Sequence, residues 1–311
     1  MVVLGACYPG QGAQKEGMAL DLYAKSKQVR SLFDLASDIT SLDMLSLMKK
    51  GSQVTEEAQL AITLANRSST LVLQQMGITP SCHCGFSLGE LSAYAASGVL
   101  DDEQLFTLVQ ERSTLMGQAT EIVRQQIGPL GMAAVVGLGF AQVKQMIEKE
   151  GLEHLYCAND NSPFQLTISG ALSSIEQASS LLKALGAKRV IPLRVSGPFH
   201  TPFMLTVEKQ FAKIVHQMDF KEPHTPVYLN VSGLVAQSVE QIIQGCIDQL
   251  SQPVRWTQIM QALISEQKVA AALEIGPGKV LGGLWNSLSS GIPCHSCESW
   301  ETIEATVREL R

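Results

Sequence analysis

An apolar run from Met1 to Cys7, long and continuous enough for a strand buried on both faces, opens the chain. It passes into Tyr8, Pro9, Gly10, Gln11, Gly12, Ala13 and Gln14, a glycine-rich turn ahead of a helix that begins near Met18. Between Glu57 and Met76 the positions Ala58, Ala61, Ile62, Ala65, Leu71 and Val72 trace an imperfect helical stripe, with Gln59 close beside it. Gly77 and Pro80 end that helix. Only Ser81, Cys82, His83 and Cys84 are then left for a strand, a short and rather polar one. Leu88, Leu91, Tyr94 and Ala95 return to helical spacing, and Gly98 supplies a stop. The next helix opens on Asp101, Asp102 and Glu103, and its stripe runs Leu105, Leu108, Val109, Arg112, Leu115, Met116.

From about Gly131 to Val195 the periodicity changes to strand, helix, strand, strand, helix, strand. Gly131–Leu138 predicts a strand and 141–150 a helix, followed by a strand pair, His154–Ala158 and Gln165–Gly170, around a turn over Asn159–Pro163. A helix over Leu172–Leu185, ended by Gly186, and a strand over Arg189–Val195 complete the unit. That order is the ferredoxin-like split βαβ. It predicts a small domain over 128–196, inserted into a main domain formed by 1–127 and 197–311. Beyond it, Val227–Val231 and 270–275 predict further strands, Gln249–Trp256 leads into a helix, and Gly276, Pro277 and Gly278 make a sharp turn.

Two domains also suit the length, since 311 residues exceed the roughly 250 to 300 at which a single core stops growing. Charged residues make up only 17%, below the roughly 25% of an average soluble domain, which implies extensive burial. Met1–Cys7 lacks the basic flank and length of a signal segment, and no stretch reaches the roughly 18 apolar residues of a membrane span. A soluble cytoplasmic protein is therefore expected, and seven scattered cysteines suit a reducing compartment. Cys82 with Cys84 and Cys294 with Cys297 form no four-ligand pattern, so no metal is expected. The net charge of -6 argues against nucleic acid as the main partner.

Three features carry candidate chemistry. Gly85, Phe86, Ser87, Leu88, Gly89 and Glu90 read as GxSxG followed by an acid. The serine of such a motif is a nucleophile when it sits on a sharp strand-to-helix turn, and otherwise a glycine-bracketed loop residue. Arg112 stands where its neighbours are leucines. A guanidinium on an apolar face needs an anion, either a core carboxylate in a salt bridge or a substrate carboxylate held by a bidentate fork. His200, between Pro198 and Pro202, lies in a loop where the insertion rejoins the main domain and a cleft is expected, which makes it a candidate base for Ser87. The Tyr8–Gln14 turn leaves backbone N–H groups free at a helix start, an anion site or simply a tight connection.

Taken together, these segments resemble the malonyl-CoA:acyl carrier protein transacylase family, which loads malonyl units for fatty acid and polyketide synthesis. The likeness covers essentially the whole chain. Tyr8–Gln14 is similar to the family's GQG segment, Gly85–Glu90 to its GHSLGE motif and Arg112–Met116 to its malonate-binding helix. Asn159–Gly170 resembles its NSPxQ strand pair, Ser196–Met204 its histidine loop, Gln249–Trp256 its QLxxPVRW segment and Glu274–Leu281 its EIGPGKVL turn. The resemblance implies an α/β fold with an α/β-hydrolase-like large domain and an inserted ferredoxin-like small domain. It also implies Ser87 as nucleophile and His200 as its base, the latter oriented by the backbone carbonyl of Gln249. Gln11 and Leu88 would supply oxyanion N–H groups, and Arg112 would clamp the malonyl carboxylate. Phe199, Met116, Gln59 and Asn159 fall to the substrate site, the phenylalanine favouring malonyl over methylmalonyl. Malonyl-CoA and acyl carrier protein are the implied partners, with no cofactor, no membrane and a monomeric enzyme.

Phe86 departs from the family's histidine, Leu60 from a common proline and Ser113 from a common glycine. None removes a reacting atom, and Phe86 bears on acyl preference. A stand-alone acyltransferase of a polyketide synthase or malonate decarboxylase system shares every motif. An esterase or thioesterase would add an acidic triad member and has no use for Arg112. A catalytically silent carrier-binding protein should have lost Ser87 or His200, and both are present. The carrier is acidic, so Lys183, Lys188 and Arg189 are candidates for its docking face or else a solvated rim.

Overall fold

A computed structural model describes residues 2–193, 195 and 197–311. Met1, Arg194 and Ser196, which fall within the expected first strand, last small-domain strand and histidine loop, lie outside the described residues. The strands among those described are β1 (Leu4–Tyr8), β2 (Cys82–Gly85), β3 (Leu130–Val136), β4 (Leu155–Ser162), β5 (Gln165–Ala171), β6 (Arg189–Pro192), β7 (Ala271–Ile275) and β8 (Cys294–Cys297).

β2, β1, β7 and β8 lie side by side in that order, all parallel. A parallel sheet needs cover on both faces, and the alternation along β1 shows how it is met. Leu4, Ala6 and Tyr8 face a core that includes Leu22, Phe33 and Leu64, whereas Cys7 faces a second core with Cys84, Trp256 and Trp285. The other sheet has the order β4, β5, β3, β6 and is antiparallel throughout. With the helices Phe140–Lys149 and Leu172–Leu185 it encloses its own core of Val135, Val143, Leu166, Ile168 and Leu182. A separate core is the physical mark of a separate folding unit, so the chain is a mixed α/β protein of two parts. The parts are stitched by Asp160 N–H to Val254 O (2.8 Å) and Val254 N–H to Ala158 O (3.0 Å). Among the described residues no helix is long and apolar enough to cross a membrane.

Three expectations are corrected, and one strand is added. The turn expected over Asn159–Pro163 is displaced, and β4 continues through Ser162. The turn-forming side chains there bond inward instead: Asp160 Oδ1 accepts from Thr257 (2.7 Å) and Asn161 Nδ2 donates to Thr167 (3.1 Å), with two bulges absorbing the register shift. Val227–Val231 forms no strand. Val227 bridges only His83 and Tyr228 only Val235, because the chain doubles back, with Leu229 N–H bonded to Leu234 O (3.0 Å). β6 ends at Pro192, short of the expected Val195, although Leu193 N–H still reaches Met132 O (2.9 Å). β8 was not anticipated from Cys294, His295, Ser296 and Cys297, which show no apolar alternation.

β2 is polar by composition and buried at every residue. Its backbone pairs with β1, His83 N–H donates to Pro226 O (2.8 Å), and the His83 ring lies 3.2 Å from Tyr8 Oη. Beyond it the chain needs its glycines. A Cβ on Gly89 would stand 2.0 Å from Tyr8 O, and one on Gly85 would stand 1.9 Å from the Gly89 carbonyl carbon. Backbone atoms on both sides leave no flexible neighbour to give way. Gly89→Ala is therefore expected to cost about 3 kcal/mol of stability, read as a lower urea midpoint. An unchanged midpoint would show that this packing is not tight.

Candidate active site

The chain leaves β2 at Gly85, turns through Phe86 and Ser87, and enters the helix Gly89–Ala96. Ser87 is held in the left-handed region at φ 51°, a strained conformation for a serine. Three hydrogen bonds fix the turn: Phe86 N–H to Tyr8 O (2.9 Å), Ser87 N–H to Asn230 Oδ1 (2.7 Å) and Asn230 Nδ2 to Gly85 O (2.6 Å). The sharp strand-to-helix turn that a nucleophilic serine requires is thus present.

Ser87 Oγ lies 2.7 Å from His200 Nε2, and His200 Nδ1 lies 2.8 Å from the backbone carbonyl of Gln249. A carbonyl only accepts, so Nδ1 carries the proton and Nε2 turns its lone pair to the serine. His200 is also in the left-handed region, at φ 58°. Burial first, and then the Arg112 cation, pull its imidazole down to about 4, so it is neutral at pH 7.

Arg112 is buried on the helix Asp102–Ile127, and among the described residues no carboxylate lies within salt-bridge distance of it. Nη1 donates to Gln59 Oε1 (2.8 Å) and Nη2 to Gln249 Oε1 (2.8 Å), with Nη2 also 3.5 Å from Ser87 Oγ. Two carboxamides thus orient the guanidinium without neutralising it; Nη1 keeps a second N–H, and the second N–H of Nη2 makes only the long contact to Ser87 Oγ, which an anion beside the serine can displace. Burial draws Arg112 down to about 10, so it stays cationic at neutral pH.

Every residue assigned from the sequence to the catalytic or substrate site except Gln249 lines one cavity of about 80 Å³, and Gln249 reaches it through Arg112 and His200. Met132 and Thr167 of the small sheet close its roof. Gln11, Phe86, Thr167, Leu193 and Val195 are shared with an outer cavity of about 450 Å³ that passes the Pro9–Gln14 loop. Asn161 lines the outer cavity, and its buried Oδ1 has no hydrogen-bond partner among the described residues. Among the described residues, neither the Gln11 nor the Leu88 backbone N–H donates to a protein acceptor.

Residues 7–287 match the family described as acyl transferase domain. Over 310 residues the chain is 35% identical to the malonyl CoA-acyl carrier protein transacylase of Bacillus subtilis (strain 168), covering 98% of this chain and 96% of the relative. This chain belongs to the acyl transferase family. Its fold matches, with a TM-score of 0.92 and 32% identity over 99% of both chains, a malonyl-transacylase solved in complex with a type II PKS acyl-carrier protein. It matches the MCAT of Streptococcus pneumoniae with a TM-score of 0.91 and 31% identity, over 98% of this chain and 99% of the other.

Within this acyl transferase the sequence departures are accommodated. Phe86 packs edge-on to Trp256, with ring centroids 5.5 Å apart, and lines both cavities. Leu60 is buried in the main core, and Ser113 bonds back to Gln110 O (3.0 Å). Sequence reasoning missed Asn230, which braces the serine turn from a segment mistaken for a strand. It also missed Met132, whose place in the cavity follows only from how the two sheets face each other.

The neutral histidine has a consequence for pH. A histidine acting as base for Ser87 would need Nε2 unprotonated, and on that footing the rate is expected to stay level on the acid side of pH 7 and to fall only as pH drops through about 4. A profile of kcat/KM with an uncharged acyl thioester checks this; a limb near the ordinary histidine value of about 6.5 would contradict it.

Proposed function

We propose that this acyl transferase works in the cytoplasm, transferring the malonyl group of malonyl-CoA to the phosphopantetheine thiol of acyl carrier protein through a malonyl-Ser87 ester, for fatty acid synthesis. One observation carries the reading: a buried guanidinium with unspent donors stands beside an activated serine. An esterase acting on uncharged acyl groups has no use for it, whereas an acyl group ending in a carboxylate does.

His200 Nε2 takes the proton of Ser87 Oγ as Oγ bonds to the thioester carbonyl carbon. The Gln11 and Leu88 N–H groups, unengaged among the described residues, receive the developing oxyanion. The C–S bond breaks, and the proton on His200 passes to the departing CoA sulfur. The carrier's thiol then gives its proton to His200 and attacks the ester carbonyl, the acyl C–Oγ bond breaks, and His200 returns the proton to Oγ to restore Ser87. The thioester supplies all the chemistry, and no cofactor is invoked. Arg112 fixes the malonyl carboxylate, with Gln59, Met116, Asn159 and Phe199 shaping the space around the chain. The outer cavity would take the pantetheine arm, whose amide N–H groups suit the unpartnered Asn161 oxygen. The sheet orders support an α/β-hydrolase-like main domain of 1–127 and 197–311 with a ferredoxin-like insertion at 128–196.

Formation of malonyl-carrier with release of one CoA thiol per group transferred tests the reading; CoA release without carrier acylation would favour a thioesterase. A polyketide carrier is the second reading, because one matched structure holds such a carrier with its malonyl-transacylase. Comparing kcat/KM for the two carrier types separates them.

Docking of an acidic carrier to a chain of net charge -6 requires a local basic face. Arg189 and Lys188 lead directly into Pro192 and Leu193 at the outer cavity, and Lys183 lies in the last turn of the preceding helix. Reversing all three charges is expected to raise the carrier's KM about tenfold at low salt, with kcat for malonyl loading unchanged. Unchanged carrier kinetics would place the docking face elsewhere.

A further inference from the structure

Glu90, the acid that closes the GxSxG stretch, is completely buried and takes no part in the steps above. Its Oε1 accepts from Tyr94 Oη, and its Oε2 accepts from Asn230 N–H (3.1 Å) and Gln249 Nε2 (2.7 Å). Gln249 Nε2 also donates to Ser87 O at 3.1 Å. Both protons of that amide are therefore committed, and the carboxamide has one orientation, with Oε1 facing Arg112 Nη2. Were the amide to turn over, its NH₂ would meet the guanidinium donor against donor. The backbone carbonyl of the same residue holds His200. Gln249 thus serves both the base and the guanidinium, and Glu90 fixes its side chain.

Charge balance points the same way. Arg112 is a buried cation with no carboxylate in salt-bridge contact among the described residues, an arrangement that costs heavily unless compensated nearby. Glu90 is the compensating anion, one carboxamide away, and each group's charge favours the other's ionised form.

We propose that Glu90 is a positioning residue for the acyl carboxylate: it locks Gln249 so that Oε1 holds Arg112, and it balances the guanidinium until the substrate's own carboxylate arrives. This rests on the malonyl-transfer reading. Once the substrate docks, two anions share one cation, and protonation of Glu90 from solvent relieves the excess. Burial pushes the Glu90 carboxyl up to about 7, within reach of such a proton. The other titratable groups facing it are Tyr94 on its own helix, Cys84 on β2 and Cys246 on the helix Val239–Asp248. Burial raises all three, so they stay neutral, and Arg112 stays charged. The sign follows. Below about 7 Glu90 is neutral and Arg112 is uncontested for the malonyl carboxylate, whereas above it the two carboxylates compete.

The test is the ratio of kcat/KM for Ser87 loading by malonyl-CoA and by acetyl-CoA, from about pH 6 to about pH 9. His200 and the CoA phosphates affect both thioesters alike and cancel. The native ratio is expected to fall about tenfold as pH rises, and Glu90→Gln, with no charge to lose, to give a level ratio. Glu90→Leu, which frees Gln249, should cut malonyl loading about thirtyfold or more at every pH and acetyl loading less than about threefold. A level native ratio, or equal loss of both acyl groups in Glu90→Leu, would overturn the proposal. The native and Glu90→Gln profiles decide it even if the leucine variant does not fold. Failure of the native protein to load either thioester would instead overturn the transferase reading, and Glu90's role with it.

Discussion

Arg112→Ala is expected to lower kcat/KM for malonyl loading by about 150- to 5,000-fold while leaving acetyl loading within about tenfold of native. The magnitude follows from the burial of the guanidinium. A desolvated cation facing a substrate carboxylate is worth about 3 to 5 kcal/mol when one partner is removed, and each 1.36 kcal/mol is about tenfold in rate. Acetyl has no carboxylate to lose. Its smaller loss reflects Gln59 and Gln249, which give up the nitrogens they now hold at 2.8 Å. Stopped reactions with each thioester give the two constants directly. Equal losses would mean that Arg112 merely braces the core, as a structural arginine on an apolar helix face would.

His200→Ala is expected to slow acylation of Ser87 about 10³-fold with little change in thioester binding. Its Nε2 stands 2.7 Å from the oxygen whose proton must leave, and the ring is neutral at pH 7 because burial holds it near 4. The loss should fall on kcat. It should not be total, because the oxyanion donors and Arg112 remain. Single-turnover measurements separate the two constants, and an unchanged acylation rate would mean that another group takes the proton.

Much of this was legible in the residues because the strongest signals are local. The stripes that predict the helices now observed at Thr55–Gln75 and Asp102–Ile127 come from side chains at helical spacing, and Asp101 caps the second in a capping box with Gln104. The split order of the small unit could be read because helix and strand periodicities alternate cleanly there. What escaped depends on partners distant in sequence. Asn159, Asp160, Asn161 and Pro163 make a strong turn signal, and nothing nearby reveals that Thr257 and Thr167 draw two of those side chains into a strand. Cys294–Cys297 looks polar and is nevertheless a strand because β7 offers it a parallel edge, just as β1 does for the short, polar strand that was expected before the serine.

The site divides in the same way. Ser87, His200 and Arg112 stand out by composition, each being a reactive or charged residue in a place that invites explanation. The structure brings them within 3.5 Å of Ser87 Oγ. Asn230 and Glu90 do not stand out. Asn230 sits between apolar residues that suggest a strand, and Glu90 has the form of an ordinary acid in the first turn of a helix. Only the folded arrangement shows that both brace the serine turn and the glutamine behind it.

The central claim is that Ser87 carries the malonyl group between CoA and the carrier. Intact-protein mass spectrometry after brief mixing with malonyl-CoA, with Ser87→Ala as control and a chase of phosphopantetheinylated carrier protein, tests it most directly. The account predicts a malonyl adduct on the native chain only, stable to water over the experiment and discharged by the carrier. An adduct that survives in Ser87→Ala, or one lost to water as fast as to the carrier, would contradict it.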